Sequence, residues 1–191
     1  MPKLCCEIHF RNESVRTCKL QFVLVSPTMK VLFVCIGNTC RSPMAEAVLN
    51  HLILKQQLED WQTDSAGLRD WNVGTLPQGR GQQLLQQHGL KTAHLGRLIT
   101  PQDFYEFDYV LGMDHSNLAE LRQMAHRLQP PPQCKIMLLG SFLGRIEDEI
   151  IEDPYFTRGM SGFHAAYEQI RESCERFVQL HKGKERQTIS N

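Results

Sequence analysis

Four short strand-like segments, at 31–35, 61–67, 108–113 and 135–139, are separated by longer stretches with helical spacing, and that alternation leaves few folds open. The intervening runs predict helices over Ala45–Leu58, Gly79–His88 with Gly89 closing it, Pro101–Phe107, Ser116–Leu128 and Met160–His181. Pro130-Pro131-Pro132 stops the fourth of these. Strands joined through helices must run parallel, and a parallel sheet needs cover on both faces. The expected architecture is therefore one three-layer α/β domain over residues 29–182, with a four-stranded parallel sheet between helices. A chain of 191 residues is long enough for one such core with some to spare.

The ends read differently. Residues 1–28 mix charges with apolar residues and close on Ser26-Pro27-Thr28, which predicts a loosely ordered extension or one added edge strand. Leu20–Val25 is its only apolar segment; it contains Gln21 and is too short for a secretory signal. Residues 183–191 read as a solvated polar tail.

Composition removes several function classes. The formal net charge is +0, so no global field points to nucleic acid or an anionic membrane, and no apolar run approaches membrane-spanning length. Seven cysteines at irregular spacing argue against a secreted disulfide framework and for a reducing, cytoplasmic setting. None of them is spaced as a zinc site. No metal and no cofactor are expected.

The chemistry concentrates between Cys35 and Arg41. The first strand delivers a cysteine into a tight polar turn, Ile36-Gly37-Asn38-Thr39-Cys40, which ends in Arg41-Ser42-Pro43 and a helix. In a parallel α/β fold this turn lies at the carboxyl end of a strand, where ligands bind. Successive backbone N–H groups from Gly37 to Arg41 can curl into a nest, and a helix starting near Ser42 adds its positive end. Ser42 is expected to cap that helix, with Pro43 at its first position. The result is a site for a tetrahedral oxyanion, over which Arg41 can close with two parallel hydrogen bonds. The same donors favour an anionic sulfur on Cys35, so the loop reads as a phosphoryl-accepting nucleophile in its own anion cradle. A Walker phosphate loop is excluded, because its Gly-Lys-Ser/Thr ending is absent.

The stretch VCIGNTCRSPMAEAVL at 34–49 resembles the signature of the low-molecular-weight protein tyrosine phosphatases, a cysteine and an arginine with five residues between. Further similar stretches are Asp64-Ser65-Ala66-Gly67, Lys91-Thr92-Ala93-His94, the run from Phe107 to Asp114, and Ile151-Glu152-Asp153-Pro154-Tyr155. The resemblance covers roughly 29–181 and implies a flavodoxin-like fold and metal-free hydrolysis of phosphotyrosine in proteins and of small aryl phosphates. It implies Cys35 as nucleophile, Arg41 as phosphate clamp and Asp153 as general acid. Ile36, Gly37, Asn38, Thr39, Cys40 and Ser42 would form the substrate cradle, with Ser65 and His94 supporting Asn38. Trp71 and Tyr155 would wall the pocket. Phe156 stands where related animal proteins often carry a second tyrosine.

The residues support parts of this independently. A phenolate leaving group needs a proton, and Asp153 follows an acidic run, Glu147-Asp148-Glu149 and Glu152, that would make its carboxyl hold one more tightly. Cys40 lies five residues from Cys35 on a loop whose ends must converge, so the pair is also expected to form a disulfide under peroxide. Expected partners are phosphotyrosine-containing proteins, not nucleic acid or membrane, with the chain a monomer or weak homodimer. Two alternatives stay open at this level: an arsenate-reductase-like enzyme, which would need a cysteine relay, and a phosphate-binding module without catalysis.

Overall fold

The computed structural model describes residues 29–185. Along the chain it contains β1 (Met29–Cys35), α1 (Arg41–Gln56), β2 (Trp61–Gly67), α2 (Gly79–Gln87), α3 (Asp103–Glu106), β3 (Tyr109–Gly112), α4 (His115–His126), β4 (Lys135–Leu138) and α5 (Ser161–Glu185). The four strands are all parallel in the order β2-β1-β3-β4, the three-layer arrangement expected from the alternation. The extension or added edge strand expected at residues 1–28 lies outside the described residues. So does most of the expected tail, although α5 continues to Glu185.

β1 is central and buried on both faces, which is why it reads as an unbroken apolar run. Alternate side chains serve opposite layers. Val31, Phe33 and Cys35 join a core with α1, α2 and α5, where Leu49, Leu84, Phe163, Ile170 and Phe177 pack. Leu32 and Val34 join a second core with Phe104, Val110 and Leu121. The two cores grip β1 from either side and fix where its last residue, Cys35, can lie.

Helix boundaries differ from expectation by a few residues, and one difference has chemical meaning. α1 begins at Arg41, with Cys40 in the cap position and no side-chain cap. Ser42 is therefore inside the first turn and does not cap the helix. Its hydroxyl is buried and bonded elsewhere, which removes it from capping duty. Pro43 stands two positions further in than expected, still within the first turn, where no intrahelical N–H is lost. Gly89 follows α2 with a φ of +71°, the left-handed closure its position predicts. Between β4 and α5 lie three 3₁₀ turns, Leu139–Leu143, Ile146–Asp148 and Pro154–Phe156, which the periodicity did not reveal.

Candidate active site

The site is built on the turn after β1. For backbone N–H groups to face its centre, the carbonyls must face out, and an outward carbonyl near the core needs a donor. The chain supplies them in order. Cys35 O accepts from Leu68 N at 3.0 Å and Ile36 O from Arg69 N at 2.9 Å. Gly37 O accepts from the Asn72 side chain at 2.9 Å. Thr39 O accepts from Gln78 N at 2.8 Å, and Cys40 O from Met44 N at 3.3 Å in the first turn of α1. The strap from Leu68 to Gln78 thus turns the loop inside out. A Cβ at Gly37 would sit 2.8 Å from the Asn72 amide, so a larger residue would dislodge that bond.

Asn38 completes the turn in the left-handed region, at φ 50°, which Asn tolerates better than most residues. Its side chain, 2% exposed, is fully used. Nδ2 donates to Ser42 Oγ at 3.0 Å and to Ser65 Oγ at 2.9 Å. Oδ1 accepts from Arg97 N at 2.8 Å and meets His94 Nε2 at 2.8 Å. Ser65 Oγ donates in turn to Glu46 Oε2 at 2.7 Å, and His94 Nδ1 lies 3.0 Å from Glu46. The structure therefore brings Asn38, Ser42, Ser65 and His94 together behind the loop. Glu46, Asp64 and His94 are close enough to suggest a cation site. The same three residues bond to Ser65, Arg97 and Asn38, so the cluster reads as support for the loop.

Cys35, 3% exposed, lies at the base of the turn with its sulfur 3.0 Å from Ser42 Oγ. Arg41, also buried, is held from two distant segments. Nη1 donates to Asp114 Oδ2 at 2.6 Å and to Ile151 O at 2.9 Å, and Nη2 donates to Asp153 Oδ2 at 3.1 Å. Both Nη1 hydrogens are thereby occupied. Nε is buried with no partner among the described residues. What Arg41 still offers is its Nε–Nη2 edge, a two-pronged donor suited to an oxyanion. Burial works against its charge, but the Cys35 sulfur and the Asp153 and Asp114 carboxylates outweigh it, so Arg41 is held above its ordinary value. Asp114 caps α4. Burial would raise its carboxyl, yet the bonds from Ser116, the Asn117 backbone and Arg41 bring it below the usual range, and it stays ionised.

Asp153 stands at the head of the Pro154–Phe156 turn, where Oδ1 accepts from Tyr155 N at 3.0 Å. Its side chain is 30% exposed, so it meets both Arg41 and solvent. Cys40 is 4% exposed. Burial first, then the Cys35 and Asp153 charges, push its thiol up to about 12, so it rests protonated beside the site. Ile36 packs against the second core. Trp71 and Tyr155 are exposed on the two segments that border the loop, and Tyr155 meets Phe156 edge-on.

Residues 30–187 match the family model described as low molecular weight phosphotyrosine protein phosphatase. The chain belongs to that family. A pig protein bearing the family's name is 45% identical over 153 residues, 80% of this chain and 95% of the pig protein. A Drosophila melanogaster relative, low molecular weight phosphotyrosine protein phosphatase 1, is 43% identical over 149 residues, 78% of this chain and 94% of its own length. Among solved structures, one titled as DARP, drosophila arginine phosphatase, superposes with a TM-score of 0.80 at 71% identity, covering 81% of this chain and 98% of that one. The three-layer fold and the phosphatase class expected from the loop are both those of the family.

Some of the machinery was not readable from the motif. Asp114 stood in the sequence only as the end of the similar run from Phe107, with no role of its own, and its ion pair with Arg41 spans 73 residues. Glu46, Asn72, Gln78 and Arg97 carried no signal beyond ordinary polar residues.

The Asn38 geometry separates two effects. Asn38→Ala should lose the side-chain bonds and strain the left-handed φ, whereas Asn38→Gly loses only the bonds. Unfolding in denaturant should find Asn38→Ala less stable than Asn38→Gly by about 1 kcal/mol. Equal stability would mean that φ at this position carries no strain.

Proposed function

We propose that this phosphatase works through a phosphocysteine on Cys35, with Arg41 as oxyanion clamp and Asp153 as acid and then base. The observation that carries the reading is the Nε–Nη2 edge of Arg41. It joins a buried Nε that has no partner among the described residues to an Nη2 that also donates to the Asp153 carboxylate, on a guanidinium whose Nη1 reaches the cap of α4. In the first step Cys35 sulfur attacks phosphorus in line while the loop amides and Arg41 take the equatorial oxygens. Ser42 Oγ, 3.0 Å away, can donate to the sulfur when it is anionic and again when it leaves. Asp153 protonates the departing atom, and the S–P bond forms as the bond to the leaving group breaks. In the second step Asp153 takes a proton from water, which displaces the cysteine and releases phosphate. Ile36, Gly37, Thr39 and Cys40 supply the cradle, and Trp71 and Tyr155 flank the side chain that bears the phosphoryl group.

The family's name supports phosphotyrosine in proteins as substrate. A second reading, phosphorylated arginine, is favoured by the 71% identity to a structure titled as an arginine phosphatase. Exposed aromatic rims suit both, since a phenyl ring and a guanidinium each stack on rings. Carboxylate at the mouth suits the cation better, and in either case the leaving atom needs the Asp153 proton. The same reading has the chain working in the cytoplasm as a monomer or weak homodimer, which fractionation and sedimentation would check.

The mechanism has its own test. Asp153→Ala should slow phenyl phosphate by about 10²–10⁴ and spare para-nitrophenyl phosphate, whose phenolate leaves unaided. Cys35→Ser should keep vanadate binding and lose turnover. Equal slowing of both substrates by Asp153→Ala would make another group the acid. Substrate class is decided by kcat/KM on one peptide carrying either phosphotyrosine or phosphoarginine. A ratio favouring phosphotyrosine supports the first reading, and the reverse ratio the second.

The sulfur pair adds a redox expectation. Once peroxide has converted Cys35 to an uncharged sulfenic acid, one of the charges that keep the Cys40 thiol protonated is gone, although burial remains. Cys40 can then displace water to give a disulfide. Peroxide should inactivate the protein, dithiothreitol should restore it, and Cys40→Ser should lose much of that recovery. Full recovery by the variant would reduce Cys40 to a packing residue.

A further inference from the structure

Arg80 is at the second position of α2, in the first turn, where a cation meets the unfavourable end of the helix dipole. Helix stability therefore does not explain it, and its bonds point elsewhere. Nη1 donates to Thr157 O at 2.7 Å and to Gly159 O at 3.0 Å, and Nη2 to Tyr155 O at 3.2 Å. Its guanidinium carbon lies 4.6 Å from the centre of the Phe163 ring on α5. Three carbonyls of one short loop thus converge on one planar cation. The first of them belongs to Tyr155, whose N–H holds Asp153 Oδ1 at 3.0 Å.

The same turn of α2 also reaches the anion cradle. Gln78, its capping residue, accepts from Arg80 N at 2.6 Å, while Gln78 N donates to Thr39 O at 2.8 Å. One helical turn is therefore bonded on one side to the loop that surrounds Cys35 and on the other to the loop that carries Asp153. The acid loop is further confined at its far end, because Thr157 Oγ1 donates to Pro154 O at 2.7 Å and a Cβ on Gly162 would meet that Oγ1 at 2.2 Å.

We propose that Arg80 is a positioning residue for the reaction. By gathering the carbonyls of Tyr155, Thr157 and Gly159 onto α2, it sets the distance between the Asp153 carboxyl and the Cys35 cradle. This rests on the reading of Asp153 as general acid. Its two terminal nitrogens spread the three bonds across a plane, which the single nitrogen of Lys does not, so Lys would replace it only in part. Arg80 touches no reacting atom; it acts through the loop, and the loop through Asp153.

The test uses leaving-group dependence, which a merely structural loss would not move selectively. Arg80→Ala should slow phenyl phosphate on the order of tenfold, within the ~10²-fold that a 1 Å misplacement can cost, and leave para-nitrophenyl phosphate little changed. Arg80→Lys keeps the charge but not the fork, and should show the same selectivity in weaker form. In an Asp153→Ala background, Arg80→Ala should add nothing, because the group it positions is gone. Equal slowing of both substrates, an undiminished effect without Asp153, or no effect at all would each overturn the proposal. If Asp153→Ala itself fails to discriminate the two substrates, the acid reading falls and this inference with it. If Asp153→Ala discriminates and the Arg80 variants do not, the acid reading stands and Arg80 is a surface staple.

Discussion

Everything at this site depends on carbonyls pointing the wrong way for ordinary secondary structure. A turn left to itself would aim some C=O groups inward, and each would set a negative dipole against an incoming anion. Here Cys35, Ile36, Gly37, Thr39 and Cys40 all have their oxygens drawn outward by donors. Four of those donors come from one strap, Leu68 to Gln78, that has no regular secondary structure of its own. The irregular segment is thus as much a part of the cradle as the signature loop. Its lack of helix or strand is what frees its N–H groups to serve another segment's carbonyls.

The second constraint is the burial of Arg41. A guanidinium taken out of water without partners would be costly, and one with all its hydrogens satisfied would be inert. Asp114 and Ile151 O occupy one terminal nitrogen and fix the plane of the group. Asp153 takes part of the second. The arrangement draws the end of β3 and the loop before α5 onto the same side chain. The parallel sheet makes that convergence possible, because every strand delivers its following loop to the same edge.

Much of this was legible in the sequence, and for identifiable reasons. The strand run 31–35 must be apolar throughout because both faces of β1 are buried, and the Cys35–Arg41 spacing is that of a tight turn leading straight into a helix. Short-range chemistry therefore leaves a strong imprint. Ser42 shows how a local rule misleads: its sequence position before Pro43 suggests a cap, but the helix already starts at Arg41 and the Ser42 hydroxyl is bonded to Cys35 and Asn38. Asp114 and Gln78 were illegible because their work is done across the fold, 73 residues from Arg41 in one case, through bonds that any polar residue could make elsewhere. The 3₁₀ turns between β4 and α5 are too short to impose a period.

The cradle is complete before any ligand arrives. Its carbonyls are capped, Asn38 is bonded on both sides, and Arg41 is clamped in plane. Binding an oxyanion there freezes almost no motion, so affinity for the tetrahedral group comes with little entropic opposition. Rigidity of this kind is indiscriminate. On the proposed reading, inorganic phosphate, the product, would fit the same cage as the substrate's terminal group and compete for it on equal terms at phosphorus. Throughput would then, on that reading, follow the ambient phosphate level as well as the supply of substrate, and selectivity would have to come from whatever the phosphoryl group is attached to, at the exposed aromatic mouth and not at the floor.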